Sequence, residues 1–254
     1  MAVGFDRPFG PFYAVGFNAV GAASEVEEVE GFDSPMSAIT AQVGVYAAAE
    51  VSGFNFDFYG GAGVDSFEHN RQVIINSFNA APVAEWDGYH FTGSARVGYD
   101  IELGRFFIRP SASIDYISLT ENEYTESGGG IGIDLMVSDR ETTSFTGTGL
   151  VAIGARFEGP ANWWSPSLRL GYRNEFDTTT SDTLAAFCVS DCSGTPGYGE
   201  TFTLRSQQMP GSGFIFGFGV AAGSDYSTFS LDYDADVRDD FIRHTARFVI
   251  RLVF

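Results

Sequence analysis

From His244 to Phe254 the chain alternates. Ala246, Phe248, Ile250, Leu252 and Phe254 share one parity, and Thr245, Arg247, Val249, Arg251 and Val253 the other. A period of two belongs to a β-strand with two unlike faces. The preceding stretch repeats the pattern with opposite charge: Phe229, Leu231, Tyr233, Ala235 and Val237 against Ser230, Asp232, Asp234 and Asp236. Arg238 to Phe241 joins the two as a hairpin. Same-face side chains on paired strands are neighbours, so the aspartates are expected opposite Arg247 and Arg251. Upstream, the alternation recurs over 214–222, 167–173, 89–99 and 54–65, and further strands fit around 11–24, 38–50, 106–120 and 141–157.

One face is mostly Phe, Tyr, Val and Leu; the other is mostly Gly, Ser, Thr, Asp and Arg. A soluble β-sandwich also alternates, but its polar face meets bulk water and is usually rich in Lys, Glu and Thr. Small and charged residues together fit a narrow, wet interior, and large aromatics opposite them fit lipid. Strands of about ten residues, apolar outward and polar inward, are the outer-membrane barrel pattern. The expected fold class is therefore all-β, an antiparallel transmembrane β-barrel of the outer-membrane type.

The connections alternate as well. Short ones lie around 7–11, 50–53, 102–105, 159–164 and 223–227, and long ones around 25–37, 70–88, 121–140, 174–203 and 238–243. Such barrels have short periplasmic turns and longer extracellular loops. On that rule the C-terminus is periplasmic, and the acidic loops carrying Glu25, Glu27, Glu28, Glu30, Glu121, Glu123 and Glu126 lie outside. About ten strands fit from residue 11 onward, and Met1 to Asp6 reads as the end of an eleventh. Closed antiparallel sheets need an even count. Either the N-terminal piece is a tail on a ten-stranded barrel, or residues 1–254 form a single domain whose first strand is incomplete and whose native count is twelve.

Composition narrows the function. There are 14 Lys+Arg against 33 Asp+Glu, a formal net charge of -19, and every basic residue is arginine. A nucleic-acid binder needs a basic face, so nucleic acid is excluded as a partner. An aromatic content of 15% excludes a disordered chain. No apolar run approaches the roughly 20 residues that a membrane helix requires. Met1 to Val15 shows no basic n-region and no apolar h-region, so the chain is read as cytoplasmic or as a mature or trimmed form of an exported protein. Cys188 and Cys192, in a Gly/Ser/Thr/Asp-rich stretch, are expected to close a small disulfide loop in an oxidising compartment.

These residues resemble the translocator (β) domain of autotransporters, the type V secretion proteins. Asp232-Tyr-Asp-Ala-Asp-Val-Arg-Asp-Asp-Phe-Ile-Arg-His244, followed by a strand ending Arg251-Leu-Val-Phe254, is similar to the family's closing hairpin. Ile108-Arg-Pro110, leading into Ser113-Ile-Asp-Tyr-Ile117 and Tyr124-Thr-Glu-Ser-Gly-Gly-Gly130, is a second match. Leu168-Arg-Leu-Gly-Tyr-Arg-Asn-Glu-Phe176 is a third, and the resemblance runs from about residue 5 to the end. It implies a barrel of twelve strands in the Gram-negative outer membrane, with lipid around it. It also implies a barrel-assembly machinery that reads the last strand through Phe248, Ile250, Leu252 and Phe254, and an N-terminal passenger exported to, or anchored at, the cell surface. Residues 3–9 look like the end of the family's second strand; its first strand, and the pore-threading helix before that, have no counterpart here. The alternative function is a stand-alone monomeric pore or surface protein without a passenger.

The candidate chemistry is sparse. Arg96, Arg109, Arg156, Arg169, Arg173, Arg247 and Arg251, with Asp232, Asp234 and Asp236, are assigned to the lumen wall. The three aspartates superficially resemble the start of a calcium loop, but the sixth and twelfth positions hold Val237 and Arg243 where Gly and Glu are needed. Lumen ion pairs explain them better. Asp239, Asp240 and His244 form a rim cluster in which an acid/His pair could activate water, although no nucleophile lies close in sequence to any histidine. The cysteines lack the further Cys or His that zinc needs. Trp86, Trp163, Trp164, Tyr89, Tyr99 and Phe254 fall near strand ends and suit aromatic girdles at the lipid boundaries. No metal, cofactor or catalytic residue is expected, and the protein is read as a monomer and not an enzyme.

Overall fold

The computed structural model describes residues 1–9, 13–26, 35–180, 182–190, 192, 197–205, 211–239 and 241–252. Among them there is no α-helix. Eleven long strands pair antiparallel in chain order: β1 (Ala2–Pro8), β2 (Tyr13–Val26), β3 (Met36–Val51), β4 (Phe54–Asn70), β5 (Val83–Tyr99), β6 (Phe106–Glu121), β7 (Arg140–Ala155), β8 (Trp163–Thr180), β9 (Ser212–Gly223), β10 (Ser227–Arg238) and β11 (Phe241–Leu252). The N-terminal piece is not a tail. It is β1, paired with β2 from Ala2↔Val20 to Pro8↔Ala14.

Register carries the sequence alternation around the sheet. Arg169, Gly217, Asp234 and Thr245 lie side by side across β8 to β11, and Leu168, Phe218, Tyr233 and Ala246 form the adjacent row. The first row faces inward, where side chains of different strands meet. The second faces out, with Leu168 66% and Phe218 53% exposed. So large an apolar exterior has no place in water and marks a surface covered by lipid.

An odd number of alternating strands leaves β1 and β11 running in the same direction. They are the two free edges of the sheet. The sheet nevertheless curls until Asp6 on β1 and Arg251 on β11 form an ion pair across the seam.

The long loops are more ordered than their composition implies. Val73–Ile75 and Phe78–Ala80 form a hairpin. Tyr124–Thr125, Leu135–Val137, Thr183–Ser190, Gly197–Tyr198 and Phe202–Leu204 make a separate five-stranded sheet at the long-loop end. Long-range pairing between loops supplies this order, and no local pattern reports it.

One outward position tests the lipid face. Leu231 sits in mid-strand between Val220 and Phe248, and it is 51% exposed. Leu231→Arg is expected to cost about 2–4 kcal/mol in a bilayer. Its inward neighbour, as Ser230→Arg, is expected to be tolerated. Heat-modifiable electrophoretic mobility after refolding into vesicles reads both.

Candidate functional site

The inner wall encloses a cavity of about 1250 Å³, lined largely by β5 to β11 and by the short turns beside them. Its charged groups are held by strands two apart. The Arg169 guanidinium leaves β8, crosses β9 and donates to Asp232 and to Asp234 on β10, the latter at 3.0 Å. It can cross because β9 carries Gly217 and Gly219 there. A Cβ at Gly219 would lie 2.5 Å from Asp232 Oδ1 and 3.1 Å from the Arg169 guanidinium. Asp236, the next inward position on β10, accepts from Arg173 at 3.0 Å, Arg238 at 2.9 Å and Arg243 at 3.2 Å. Arg238 also pairs with Glu175 at 3.6 Å.

The other lumen candidates are placed as follows. Arg109 donates to Asp100 in the turn after β5, and Asn55 donates to the same carboxylate at 2.7 Å. Burial works against charge on Asp100, but these hydrogen bonds outweigh it and hold the carboxyl below its usual range. Arg96 donates to Ser111 at 3.4 Å. Arg156 lies just past β7 at the short-turn rim, stacked over Trp163 at 4.2 Å and paired with Glu158 at 3.1 Å. Arg247 stands opposite Asp232 in register, yet Asp232 is taken by Arg169. Arg251 binds Asp6. Asp232 thus faces Arg247 as expected but is ion-paired with Arg169 on β8, Arg251 stands opposite Thr228, and Asp236 draws its arginines from β8, β10 and β11. Arginine side chains are long enough to cross a glycine strand, and Arg169 presents several donors to both carboxylates.

Outward on β11, Phe248, Ile250 and Leu252 are 63%, 52% and 61% exposed, and Phe254 lies outside the described residues. His244 shares that outer face and its Nδ1 is 2.7 Å from the Tyr233 hydroxyl. Asp240, Glu27, Glu28 and Glu30 are also outside the described residues. Among the described residues no group of three or more His, Cys, Asp or Glu could hold a metal ion.

At the long-loop end the inner wall carries an aromatic cluster. Trp86 is 6% exposed, so it is no girdle residue. It stacks on Phe67 at 5.3 Å and on Tyr124 at 4.3 Å, and its Nε1 donates to Glu121 at 2.9 Å. Arg140 lies 5.7 Å above the Trp86 ring and holds Glu121 with two hydrogen bonds. Burial raises the Tyr124 hydroxyl pKa. Trp86 shares the parity of Gly88 and His90, a signal that the girdle assignment passed over.

Above this stack three loops are knitted together. Arg71 donates to both Glu126 oxygens, through Nε at 2.8 Å, and to the Ile133 carbonyl at 2.8 Å. The Glu126 carboxylate raises the Arg71 pKa, with burial opposing. Leu135 N–H donates to Glu126 at 3.0 Å, and the N–H groups of Gly129 and Gly130 donate to Asp134 at 2.7 and 2.9 Å. Cys188 is disulfide-bonded to Cys192. Cys188 lies in the strand Thr183–Ser190 of the loop sheet and is 1% exposed.

One further inner network escaped the sequence reading. His90 Nδ1 is 2.6 Å from Asp65 and its Nε2 is 2.8 Å from Gln42, while Thr40 donates to Asp65 at 2.6 Å. These residues come from β3, β4 and β5. The available signal was parity: all four are inward positions.

A lipid-facing exterior and an ion-paired lumen define an outer-membrane β-barrel. The autotransporter β-domain model matches residues 1–236, and the chain belongs to that family. Among solved structures it is similar to the translocator domain of the autotransporter NalP from Neisseria meningitidis, with a TM-score of 0.77 and 10% identity over 100% of this chain and 79% of that one. It is also similar to the β domain of the Bordetella autotransporter BrkA, with a TM-score of 0.68 and 17% identity over 100% of this chain and 89% of that one. No curated protein matches. The chain is thus the translocator barrel of a type V secretion protein, an outer-membrane domain that exports a linked passenger. Domains of this family are secretion modules rather than enzymes.

Proposed function

We propose that residues 1–254 form a single translocator domain completed by one strand from polypeptide upstream of residue 1. That strand fills the seam between β1 and β11 and brings the barrel to twelve. The observation that carries this is the pair of free edges running in the same direction and tied by Asp6 and Arg251. One strand antiparallel to both satisfies their backbone groups. At about 4.8 Å per strand it needs a gap near 9.6 Å, which an arginine and an aspartate can span. An edge left open in lipid costs several kcal/mol per unpaired group.

In this reading the short turns are periplasmic and the five-stranded loop sheet is extracellular. The barrel works as a monomer in lipid. Barrel-assembly machinery engages β11 through its outward Phe248, Ile250 and Leu252, with Phe254 beyond them. The inward arginines and aspartates line the path, and the disulfide stiffens the outer cap.

The test is to sequence upstream of codon 1 and express the longer polypeptide. An in-frame segment with a period-two strand next to residue 1, and a preceding domain cut by protease on intact cells, is the expected result. A frame holding only a leader peptide before residue 1 overturns it and restores the stand-alone pore.

A further inference from the structure

The charge balance around the cavity is the reverse of that of the whole chain. Over the sequence, 33 acidic residues face 14 basic ones. Around the cavity, eight arginines face six carboxylates. More than half of the chain's basic residues are gathered on one concave surface.

Their pairing is uneven as well. Asp232 and Asp234 are both committed to Arg169, and Asp100 to Arg109. Asp236 is shared among Arg173, Arg238 and Arg243. Arg156 is held by Glu158. Arg96, Arg105 and Arg247 remain. All three line the cavity, all three are exposed, and among the described residues none has a carboxylate within 4.0 Å. They stand on β5, at the β5–β6 turn and on β11, on the walls of one chamber.

We propose that this chamber is a binding site for an acidic stretch of polypeptide, with Arg96, Arg105 and Arg247 as its contact residues. The proposal rests on the translocator reading, which supplies a polypeptide in the lumen, and adds the sign of the charge that this polypeptide carries. Unpaired guanidiniums inside a low-dielectric wall focus a positive potential into the space between them. Elsewhere the excess of carboxylates repels an acidic segment, so the lumen is where such a segment is held. The volume favours a chain segment over a small anion: about 1250 Å³ exceeds the usual small-ligand range of roughly 300–1,000 Å³. Spread guanidiniums also suit carboxylates spaced along a backbone.

The test uses the refolded full chain in detergent micelles and two labelled synthetic peptides, one of repeating Glu-Ala-Ser and one of repeating Lys-Ala-Ser. Fluorescence anisotropy is expected to show binding of the acidic peptide alone, weakening as salt is raised. The Arg96→Glu/Arg247→Glu variant is expected to bind it at least about tenfold more weakly. Heat-modifiable mobility confirms that the variant is folded, and Arg96→Gln/Arg247→Gln serves if it is not. Equal binding of both peptides, or unchanged binding by a folded variant, overturns the proposal. If the acidic peptide fails to bind while the longer polypeptide still displays its passenger, the charge assignment falls and the translocator reading stands.

Discussion

Asp236→Asn is expected to lower the unfolding free energy of the barrel by about 3–4 kcal/mol. The Asp236 side chain is 6% exposed and accepts from three arginines, of which Arg238 is 6% and Arg173 19% exposed. Removing the carboxylate leaves like charges crowded beside one another in a half-dry wall. Arg238 retains Glu175, which keeps the loss short of the upper limit for a fully stranded pair. Asp232→Asn is the informative control. Arg169 keeps Asp234 in that variant, so the cost is expected to be smaller by at least half. Asp232→Asn/Asp234→Asn strands Arg169 and is expected to exceed the sum of the single effects, because the two carboxylates substitute for each other. Urea midpoints of the refolded protein in micelles measure these three variants together with Asp234→Asn. Equal midpoints for Asp236→Asn and Asp232→Asn would show that water in the lumen screens these pairs.

Arg71→Ala is expected to loosen the long-loop cap and leave the wall intact. Glu126 is 4% exposed on its side chain and then keeps one donor, the Leu135 N–H. Arg71 is 28% exposed, so the cost falls toward about 2–3 kcal/mol rather than the full value of a buried pair. That loss is confined to the loops, because Arg71, Glu126 and Ile133 all lie outside the eleven wall strands. Amide exchange at Gly129, Gly130 and Leu135 is expected to quicken by roughly thirtyfold or more, following the free-energy loss. Exchange in β8 to β10 is expected to stay unchanged. Uniform quickening through the wall would mean that cap and barrel unfold as one unit.

The wall was legible because a transmembrane barrel meets two different solvents on alternate residues. Phe214, Phe216 and Phe218 must face lipid, and Gly213, Ile215, Gly217 and Gly219 must turn the other way. That contrast recurs at every second position and needs no tertiary knowledge. The closing hairpin was legible for the same reason. Resemblance to the autotransporter family was carried by its charged and aromatic order.

The partners of the charges were not legible. Sequence adjacency pointed from Asp232 to Arg247 on the next strand, whereas the structure hands Asp232 to Arg169, which is 63 residues away in sequence. The Arg169 guanidinium reaches across β9 where Gly217 and Gly219 leave room, and those glycines matter only once β9 lies between β8 and β10. The cap was hidden for a related reason. Glu126 sits in an acidic run that reads as solvated surface until Arg71, 55 residues earlier, is folded against it. Trp86 lay in between: its place near a strand end suggested a girdle, its parity pointed inward, and the stack with Phe67 and Tyr124 decides for the inside. The sequence by itself therefore determined the strands, their two faces and the family. The tertiary structure alone decided which charges pair, that the loops build a cap, and that the sheet ends in two edges of like direction, because each depends on groups far apart in the chain that only curling of the sheet brings together.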